Sequence, residues 1–275
     1  MRTPSKGAVD LNFPAPPNAP SRLRARSRLY GFLSVALRGP ELELPWALAA
    51  AGPWEMLHEA ARDLDDPDVS QALATASQRA AATGPDELRA AYGALFGHGL
   101  RGAVPPYECE YGSDEIFKLS GDLADLGGFY SAFGIEIDPL AHERADHICA
   151  ELEFMLLLCA KEASAQEEEG AAGLEHLAVV RDAQRKFLRD HLGRWGVAFA
   201  RRLETQDSTG LLGAAGRLLE AFLVRECRRL NVSCGPALLP LRETGSAEEM
   251  LAAQACGIGL GVPGAAEERT ADTEE

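Results

Sequence analysis

The stretch ERADHICAELEFMLLLCAKE, residues 143–162, decides the fold of this chain. It opens with charged side chains, including the acid–imidazole pair Asp146 and His147, and then runs apolar apart from two glutamates. A helix that is apolar on nearly every side is buried in a protein core. The stretch therefore predicts a central helix, and the pair at its start is a candidate catalyst, metal site, recognition point or cap.

Composition extends the helical prediction to the whole chain of 275 residues. Hydrophobic residues make up 46% of it, enough to bury a sizeable core. Ala and Leu are abundant while Val, Ile and Thr are scarce, which favours helix over sheet. We predict an all-α protein with one multi-helix globular domain. The net charge of −15 argues against nucleic acid as a partner, because duplex binding requires a basic face.

Proline, glycine and charge divide the chain into one domain and two tails. Residues 1–20 are rich in proline, which predicts a disordered N-terminal tail. Helical patterns occupy 21–235, with a hinge-like linker at about 134–146. Residues 236–275 are predicted to be an acidic, flexible C-terminal tail.

Two predictions concern the second half of the domain. The residues SAQEEEGAAG, 164–173, predict an acidic loop by composition. A long helix is predicted over about 174–204, where Leu188, Leu192 and Trp195 keep helical spacing and form a core stripe.

Cysteine usage and the absence of sorting signals indicate the cellular compartment. The six cysteines are scattered without a CxxC pair, which is typical of reduced thiols in the cytosol. The N-terminal residues contain no continuous apolar region of the kind found in secretory signals. No run of about 18 uncharged apolar residues occurs, so we predict a cytoplasmic protein without stable membrane insertion.

One loop has an unusual length and content. Residues 97–113, GHGLRGAVPPYECEYGS, carry too many glycines and prolines to continue a helix. Pro105 and Pro106 stiffen the chain, and Tyr107 and Tyr111 offer amphipathic contact surfaces on either side of two glutamates. Because long ordered loops in compact domains are often functional, this loop is a candidate binding element. A loop that is merely packed against helices remains the alternative.

The sequence contains no defensible catalytic or metal site. No GxSxG, Walker A or GxGxxG motif occurs. A di-iron bundle requires an ExxH pair on each of two helices, and only Glu55–His58 fits. We therefore predict no enzyme, no catalytic residue and no metal ligand. The alternative is a small all-α metal-binding protein or enzyme using His147, Glu151 and His191, although a structural role for these residues is simpler.

Three blocks of the sequence resemble the TorD/DmsD/NarJ-type redox-enzyme maturation chaperones. Residues 92–113 look like the family's Y-x-x-L-F … P-Y-E-S-x-Y block, and residues 143–162 resemble its E-P-x-D-H-x-x-x-E-L-E-F-M block. The stretch FLRDHLGRWGVAF, 187–199, is similar to its F-x-x-x-H-L-x-x-W-x-x-x-F helix. The blocks occur in the family's order, and the similarity spans about residues 23–232.

The resemblance implies a cytoplasmic all-α chaperone of the TorD-like type, not an enzyme. Such chaperones bind the apo catalytic subunit of a molybdenum enzyme, often through its twin-arginine signal peptide. They assist insertion of the bis-molybdopterin guanine dinucleotide cofactor, which the client carries, before export. The chain looks closest to delta-type members serving dehydrogenases or reductases of the dimethyl sulfoxide reductase class. It departs from the family at Cys109, where a serine is usual, and at Arg144, where a proline is usual.

The resemblance also implies where the client binds, in the Tyr-Glu loop and at the Asp-His pair. A twin-arginine signal combines a cationic stretch with an apolar one, so we assign carboxylates to the first and aromatic rings to the second. We expect replacing Asp146 and His147 together with Ala to weaken client capture while leaving stability nearly unchanged. The predicted client-binding residues are Tyr107, Glu108, Tyr111, Glu143, Asp146 and His147.

Overall fold

The computed structural model describes five stretches of the chain, 20–38, 51–97, 101–112, 116–135 and 144–242. They form nine α-helices and one 3₁₀ turn, without a β-strand, which confirms the predicted all-α class. None of these helices is long and apolar enough to span a membrane. The helices are α1 (Ser21–Ala36), α2 (Ala51–Leu64), α3 (Pro67–Ala82), α4 (Pro85–Phe96), α5 (Ile116–Ala132), α6 (Ile148–Glu167), α7 (Gly170–Asp190), α8 (Leu192–Gln206) and α9 (Leu211–Leu230).

Local sequence explains where several helices begin and end. The carboxylate of Asp66 accepts hydrogen bonds from the amides of Asp68 and Val69 at 3.1 and 3.2 Å, and Pro67 occupies the first turn of α3. At the other end of the domain, Asn231 adopts the left-handed conformation that closes α9. These boundaries depend on side chains next to the helices and not on distant contacts.

Helix α6 lies at the centre of the bundle. It packs against α1, α7 and α8, while α9 covers α8 and α3. Eleven of its 20 residues are buried and one face, which includes Glu153, stays partly exposed, so the stretch 143–162 encodes a largely buried helix as predicted. Its largest buried apolar side chains are those of Ile148, Leu152, Phe154, Met155 and Leu158.

The long helix predicted over 174–204 is two helices. Helix α7 ends at Asp190 and α8 begins at Leu192. His191 between them has φ −124° and ψ −102°, which is outside the helical region. The ring of His191 contacts residues that are distant in sequence, as described below. The apolar spacing continues across the break, so the sequence pattern did not predict it.

The acidic loop predicted at 164–173 is also wrong. Helix α6 continues through the acidic residues to Glu167, and α7 begins at Gly170. The predicted loop is therefore a tight turn between two antiparallel helices, in which Gly170 adopts φ +85°. The composition misled because Ala, Gln and Glu are good helix formers even when they are exposed and acidic.

The domain continues past α9 to the last described residues. Leu241 forms an antiparallel bridge with Tyr111 of the Tyr-Glu loop. Residues 1–19 and 243–275 lie outside the described residues, so the boundaries given above for the two tails stay predictions. Most of the predicted hinge, 136–143, also lies outside them.

The described cysteines are free thiols. Four of the five are buried, and burial raises the pKa of Cys159 to about 11. A thiol that stays protonated behaves as a small hydrophobic side chain, which fits its position in α6. The sixth cysteine, Cys256, lies outside the described residues.

A buried ionic network joins α1 to three other helices. The guanidinium of Arg26 donates to Glu226 of α9 at 2.8 Å, to Glu162 of α6 at 2.9 Å and to Gln184 of α7 at 2.7 Å. Burial alone would raise the pKa of Glu162, but the charge of Arg26 and hydrogen bonds from Gln184 and Arg181 lower it to about 2. Since a buried charge is tolerated only when it is paired, the network orders four helices around one side chain.

Replacing Arg26 with Met should lower the free energy of unfolding by about 3 kcal/mol, because two buried carboxylates lose their most buried cation and keep only the more exposed Arg181, Arg225 and Arg229. Urea denaturation measures this change. Arg28→Met is the matched control on the same helix, since Arg28 pairs with the exposed Glu59 and its loss should change stability by less than about 1 kcal/mol. Equal losses in the two variants would show that the buried network contributes nothing special.

Candidate functional site

The Tyr-Glu loop and the Asp-His pair meet in the folded chain. Tyr107 and His147 form an antiparallel bridge. On either side of this bridge, the amide of Glu108 donates to the carbonyl of Asp146 at 2.9 Å, and the amide of Ile148 donates to the carbonyl of Pro106 at 2.8 Å. The loop is thus bonded through its main chain to the first turn of α6. We call the group formed by Tyr107, Glu108, Asp146 and His147 the Tyr–His corner.

The carboxylate of Asp146 is enclosed within the corner. Its side chain is fully buried and accepts hydrogen bonds from Arg144 at 2.9 and 2.8 Å. It also accepts the amide of Cys109 at 3.2 Å, which ties the 3₁₀ turn of the loop to α6. The guanidinium of Arg144 lies 4.7 Å from the centre of the Tyr107 ring. Arg144, where the family has proline, therefore neutralises the acid and covers the ring.

Glu108 is a second buried carboxylate, with partners on α8. Only 1% of Glu108 is exposed, and it accepts a hydrogen bond from Arg194 at 2.5 Å. The same arginine also reaches Asp122 of α5 at 2.9 Å. Glu108 thereby connects the loop to α8, and through Arg194 to α5.

The break in the helix at His191 serves this cluster. Its Nδ1 lies 3.1 Å from Glu108, and its Nε2 lies 3.1 Å from Asp125. Burial acts to lower the pKa of His191, but the hydrogen bonds and charges of Glu108 and Asp125 outweigh it and raise the pKa. An imidazole that faces a carboxylate at each nitrogen donates from both when it is protonated, so His191 links α5 to the loop and its charged form is favoured there.

An aromatic layer supports the loop from below. The ring of Tyr111 lies 5.1 Å from that of Trp195, and its hydroxyl donates to the carbonyl of Pro105 at 3.0 Å. The indole of Trp195 donates to both oxygens of Glu151, at 3.1 and 3.2 Å. Glu151 is completely buried, and desolvation, reinforced by the negative charges of Glu108 and Asp146, raises its pKa well above its usual range.

His147 caps the central helix. Its Nδ1 accepts the amide of Cys149 at 3.1 Å, so this nitrogen carries no proton in that arrangement. The ring is 6% exposed and meets the Tyr107 ring edge-on, with 5.2 Å between the ring centres. The pair Asp146 and His147 therefore caps the buried helix and also contacts the Tyr-Glu loop.

The structure brings together the predicted site residues that it describes. Tyr107, Glu108, Asp146 and His147 form the corner, Tyr111 packs directly beneath it, and Glu143 lies outside the described residues. The double alanine replacement was expected to leave stability unchanged. Because Asp146 is fully buried and ion-paired, that variant is now expected to be less stable. Whether these residues bind a client stays a prediction.

Sequence reasoning missed the partners of the buried acids. Arg144 was noted only as a departure from the family, and Arg194 was not considered. Trp195 was placed in a core stripe, whereas its indole nitrogen also binds Glu151. The signal was present, because the stretch 187–199 resembles a family block and contains both Arg194 and Trp195. Spacing alone does not say which acid each of them meets.

The alternative metal site finds no support in the described residues. His147 caps a helix, Glu151 binds Trp195, and His191 lies between Glu108 and Asp125, so the three side chains point to different partners. Throughout the described ranges, no group of three or more His, Cys, Asp or Glu side chains is arranged to hold a metal ion.

Comparison with protein families places this site within a matched region. The family model described as the nitrate reductase delta subunit matches residues 62–201. That range contains the Tyr–His corner, its buried partners on α8 and the whole of α6. The comparison with solved structures found no match.

Three curated relatives match between 40% and 64% of the chain. The chaperone protein TorD of Vibrio cholerae serotype O1 is 32% identical over 51% of this chain and 60% of TorD. The selenate reductase assembly chaperone protein of Thauera selenatis is 33% identical over 64% of this chain and 80% of its own length. The perchlorate reductase assembly chaperone protein of Dechloromonas aromatica is 36% identical over 40% of this chain and 49% of its own length. All three are named as chaperones and not as enzymes.

Replacing Glu151 with Gln should raise the free energy of unfolding at pH 7.5 by roughly 1 kcal/mol, because it removes a buried charge and keeps an acceptor for Trp195. A carboxyl whose folded pKa is raised contributes stability below its unfolded pKa and loses it as the pH rises through the folded pKa. The advantage of the variant should therefore disappear at about pH 4, below the unfolded pKa.

Thermal and urea unfolding at both pH values measure this difference. Glu175→Gln is the control, since Glu175 is exposed on α7 and its replacement should alter stability little at either pH. A Glu151→Gln variant that is less stable than the wild type at pH 7.5 would mean that the ionised carboxylate is stabilised inside the fold.

Proposed function

The chain belongs to the nitrate reductase delta subunit family, and from this premise we propose that it is an assembly chaperone for the catalytic subunit of a molybdenum enzyme. In this proposal it binds the apo subunit in the cytoplasm, through the twin-arginine signal peptide. It retains the subunit until bis-molybdopterin guanine dinucleotide has been inserted, and export follows. The chaperone itself takes no cofactor and catalyses no reaction.

The observation that carries the proposal is the union of the two family motifs in one ordered corner. The loop and the start of α6 are joined by a backbone bridge, by the buried Asp146–Arg144 pair and by the bonds of Glu108 to α8. A recognition surface that is ordered before binding loses less conformational entropy when its partner arrives. Such pre-organisation suits a protein whose task is to bind an unfolded segment of a client.

Two accessible groups, one in the corner and one connected to it, match the chemistry of a twin-arginine signal. Tyr107 of the corner is partly exposed and already has a guanidinium over its ring. The side chain of Asp125 is 62% exposed and is linked to Glu108 of the corner through His191. A tyrosine ring suits apolar residues and an accessible carboxylate suits an arginine.

The buried acids have a supporting role in this proposal. Glu108 and Asp146 are paired with Arg194 and Arg144, so neither is free to neutralise a client cation without breaking an internal pair. They orient the loop from behind, while Tyr107 and Asp125 face the client. Because the whole chain carries a net charge of −15, cationic segments are also attracted to the protein over longer distances.

Replacing Tyr107 with Ala should weaken binding of a twin-arginine signal peptide at least about ten-fold, which corresponds to about 1.4 kcal/mol. Because the partly buried ring packs on His147 and Arg144, the free energy of unfolding should also fall by about 1–2 kcal/mol, so binding is compared where both proteins are folded. Titration calorimetry with the peptide and co-purification with the unprocessed catalytic subunit measure the loss of binding.

Two matched variants sharpen the test. Tyr107→Phe keeps the ring and should bind nearly as the wild type does, whereas His176→Ala alters an exposed residue of α7 and should have no effect. The proposal fails if the full chain binds neither the unprocessed subunit nor its signal peptide. If Tyr107→Ala binds as tightly as the wild type, the Tyr–His corner is not the binding site.

A further inference from the structure

The last described residues of the chain lie along the outer edge of the Tyr-Glu loop. We call residues 236–242, PALLPLR, the strap. The amide of Gly112 donates to the carbonyl of Pro240, and the amide of Arg242 donates to the carbonyl of Glu110, each at 3.0 Å. The strap is therefore paired with the loop in the manner of a short antiparallel strand.

The loop is paired with two segments of different kinds, one on each side of its 3₁₀ turn at Glu108–Glu110. Before the turn, residues 106–108, the inner edge, pair with residues 146–148, which are buried at the start of α6. After the turn, residues 110–112, the outer edge, pair with the strap, which follows the last described helix. An unpaired backbone edge is a template on which another extended segment can add. Departure of the strap would leave the Glu110 carbonyl and the Gly112 amide as such an edge.

The strap fits this edge imperfectly. Leu238 is 85% exposed, so one of its three leucines lies outside the packed core. Arg242 is only 9% exposed, yet its Nε is buried without a hydrogen-bond partner among the described residues. A buried donor that lacks a partner destabilises the contact that buries it. The remaining polar contacts of the strap, including the bond of Arg101 to the Arg242 carbonyl at 2.5 Å, reach its main chain.

Contacts made through the main chain do not depend on the identity of the strap's side chains. Any extended segment can offer the same carbonyl and amide groups, and only a side chain like that of Leu241 is needed to fill the contact with the core. The composition of the strap also resembles that of the proposed client segment, because its apolar residues are followed by one arginine. Apolar residues beside arginine are the same chemical classes that the proposed client segment would present.

We propose that the strap is an internal placeholder for the client. An extended client segment, with arginine beside apolar residues, displaces residues 236–242 from the outer edge of the loop. It then pairs with Glu110 and Gly112 while its neighbouring residues contact the Tyr–His corner. This inference rests on the proposed function and adds to it the binding mode, which is strand addition at the edge formed by residues 110–112.

The test compares three forms of the protein with one probe, a synthetic peptide that has two consecutive arginines followed by an apolar stretch. The forms are the full chain, a chain that ends at Gly235 and lacks the strap, and a chain that ends at Thr244 and keeps it. The form ending at Thr244 should bind as the full chain does. The form ending at Gly235 should bind about ten-fold more tightly, because no internal segment competes.

Hydrogen exchange in the unaltered chain provides a second measurement, in case the shortened form does not fold. Both the Gly112 and the Arg242 amides are hydrogen-bonded in the free protein and should exchange slowly. On adding the peptide, the Arg242 amide should lose protection while the Gly112 amide retains it. This opposite response is specific to replacement of one paired segment by another.

The outcomes separate the inference from the proposed function. The placeholder is overturned if the full chain binds the peptide, the Arg242 amide stays protected and removal of the strap does not tighten binding. In that case the proposed chaperone function stands. If none of the forms binds either the peptide or the unprocessed subunit, both fail. Tighter binding without the strap, or selective loss of protection at Arg242, supports the placeholder.

Discussion

The pairing of residues 106–108 with residues 146–148 is the constraint on which the rest of the site depends. It bonds a proline-stiffened loop to the buried first turn of α6, so the loop takes its position from the core. Once this pairing is made, Glu108 points towards α8 and Tyr111 packs on Trp195. The outer edge of the loop is then presented to residues 240–242. A single main-chain contact thus organises an aromatic layer, two ion pairs and the strap.

Buried charge is handled by pairing within the fold. Arg26 pairs with two acids at the junction of four helices, and Arg144 and Arg194 pair with the two buried acids of the Tyr–His corner. An ion in a protein interior is tolerated only when its partner and hydrogen bonds compensate for lost hydration. The strong net negative charge of the chain therefore does not mean that acids near the site are free. In the proposed function, recognition therefore falls to the more exposed groups, chiefly Tyr107 and Asp125, and the buried pairs orient the loop behind them.

Specific residues show which features of the fold and the site could be predicted from the sequence. The all-α class and the buried helix α6 follow from apolar spacing and from the scarcity of β-branched residues, which are local properties. The family resemblance implied client binding at both the loop and the Asp-His pair, and the bridge between Tyr107 and His147 brings the two together. The break at His191 and the continuation of α6 to Glu167 were missed, because helical periodicity and acidic composition each admit both states.

By itself, the sequence determined the helices, their burial and the motifs that mark the family, since each is encoded by neighbours along the chain. Only the tertiary structure decided which acids are neutralised, which rings are accessible and where the segment after α9 lies. Glu108 meets Arg194 across 86 positions of sequence, and Arg26 meets Glu226 across 200. Such contacts depend on how helices pack, because the energy of a buried charge is set by the atoms around it and not by its neighbours in sequence.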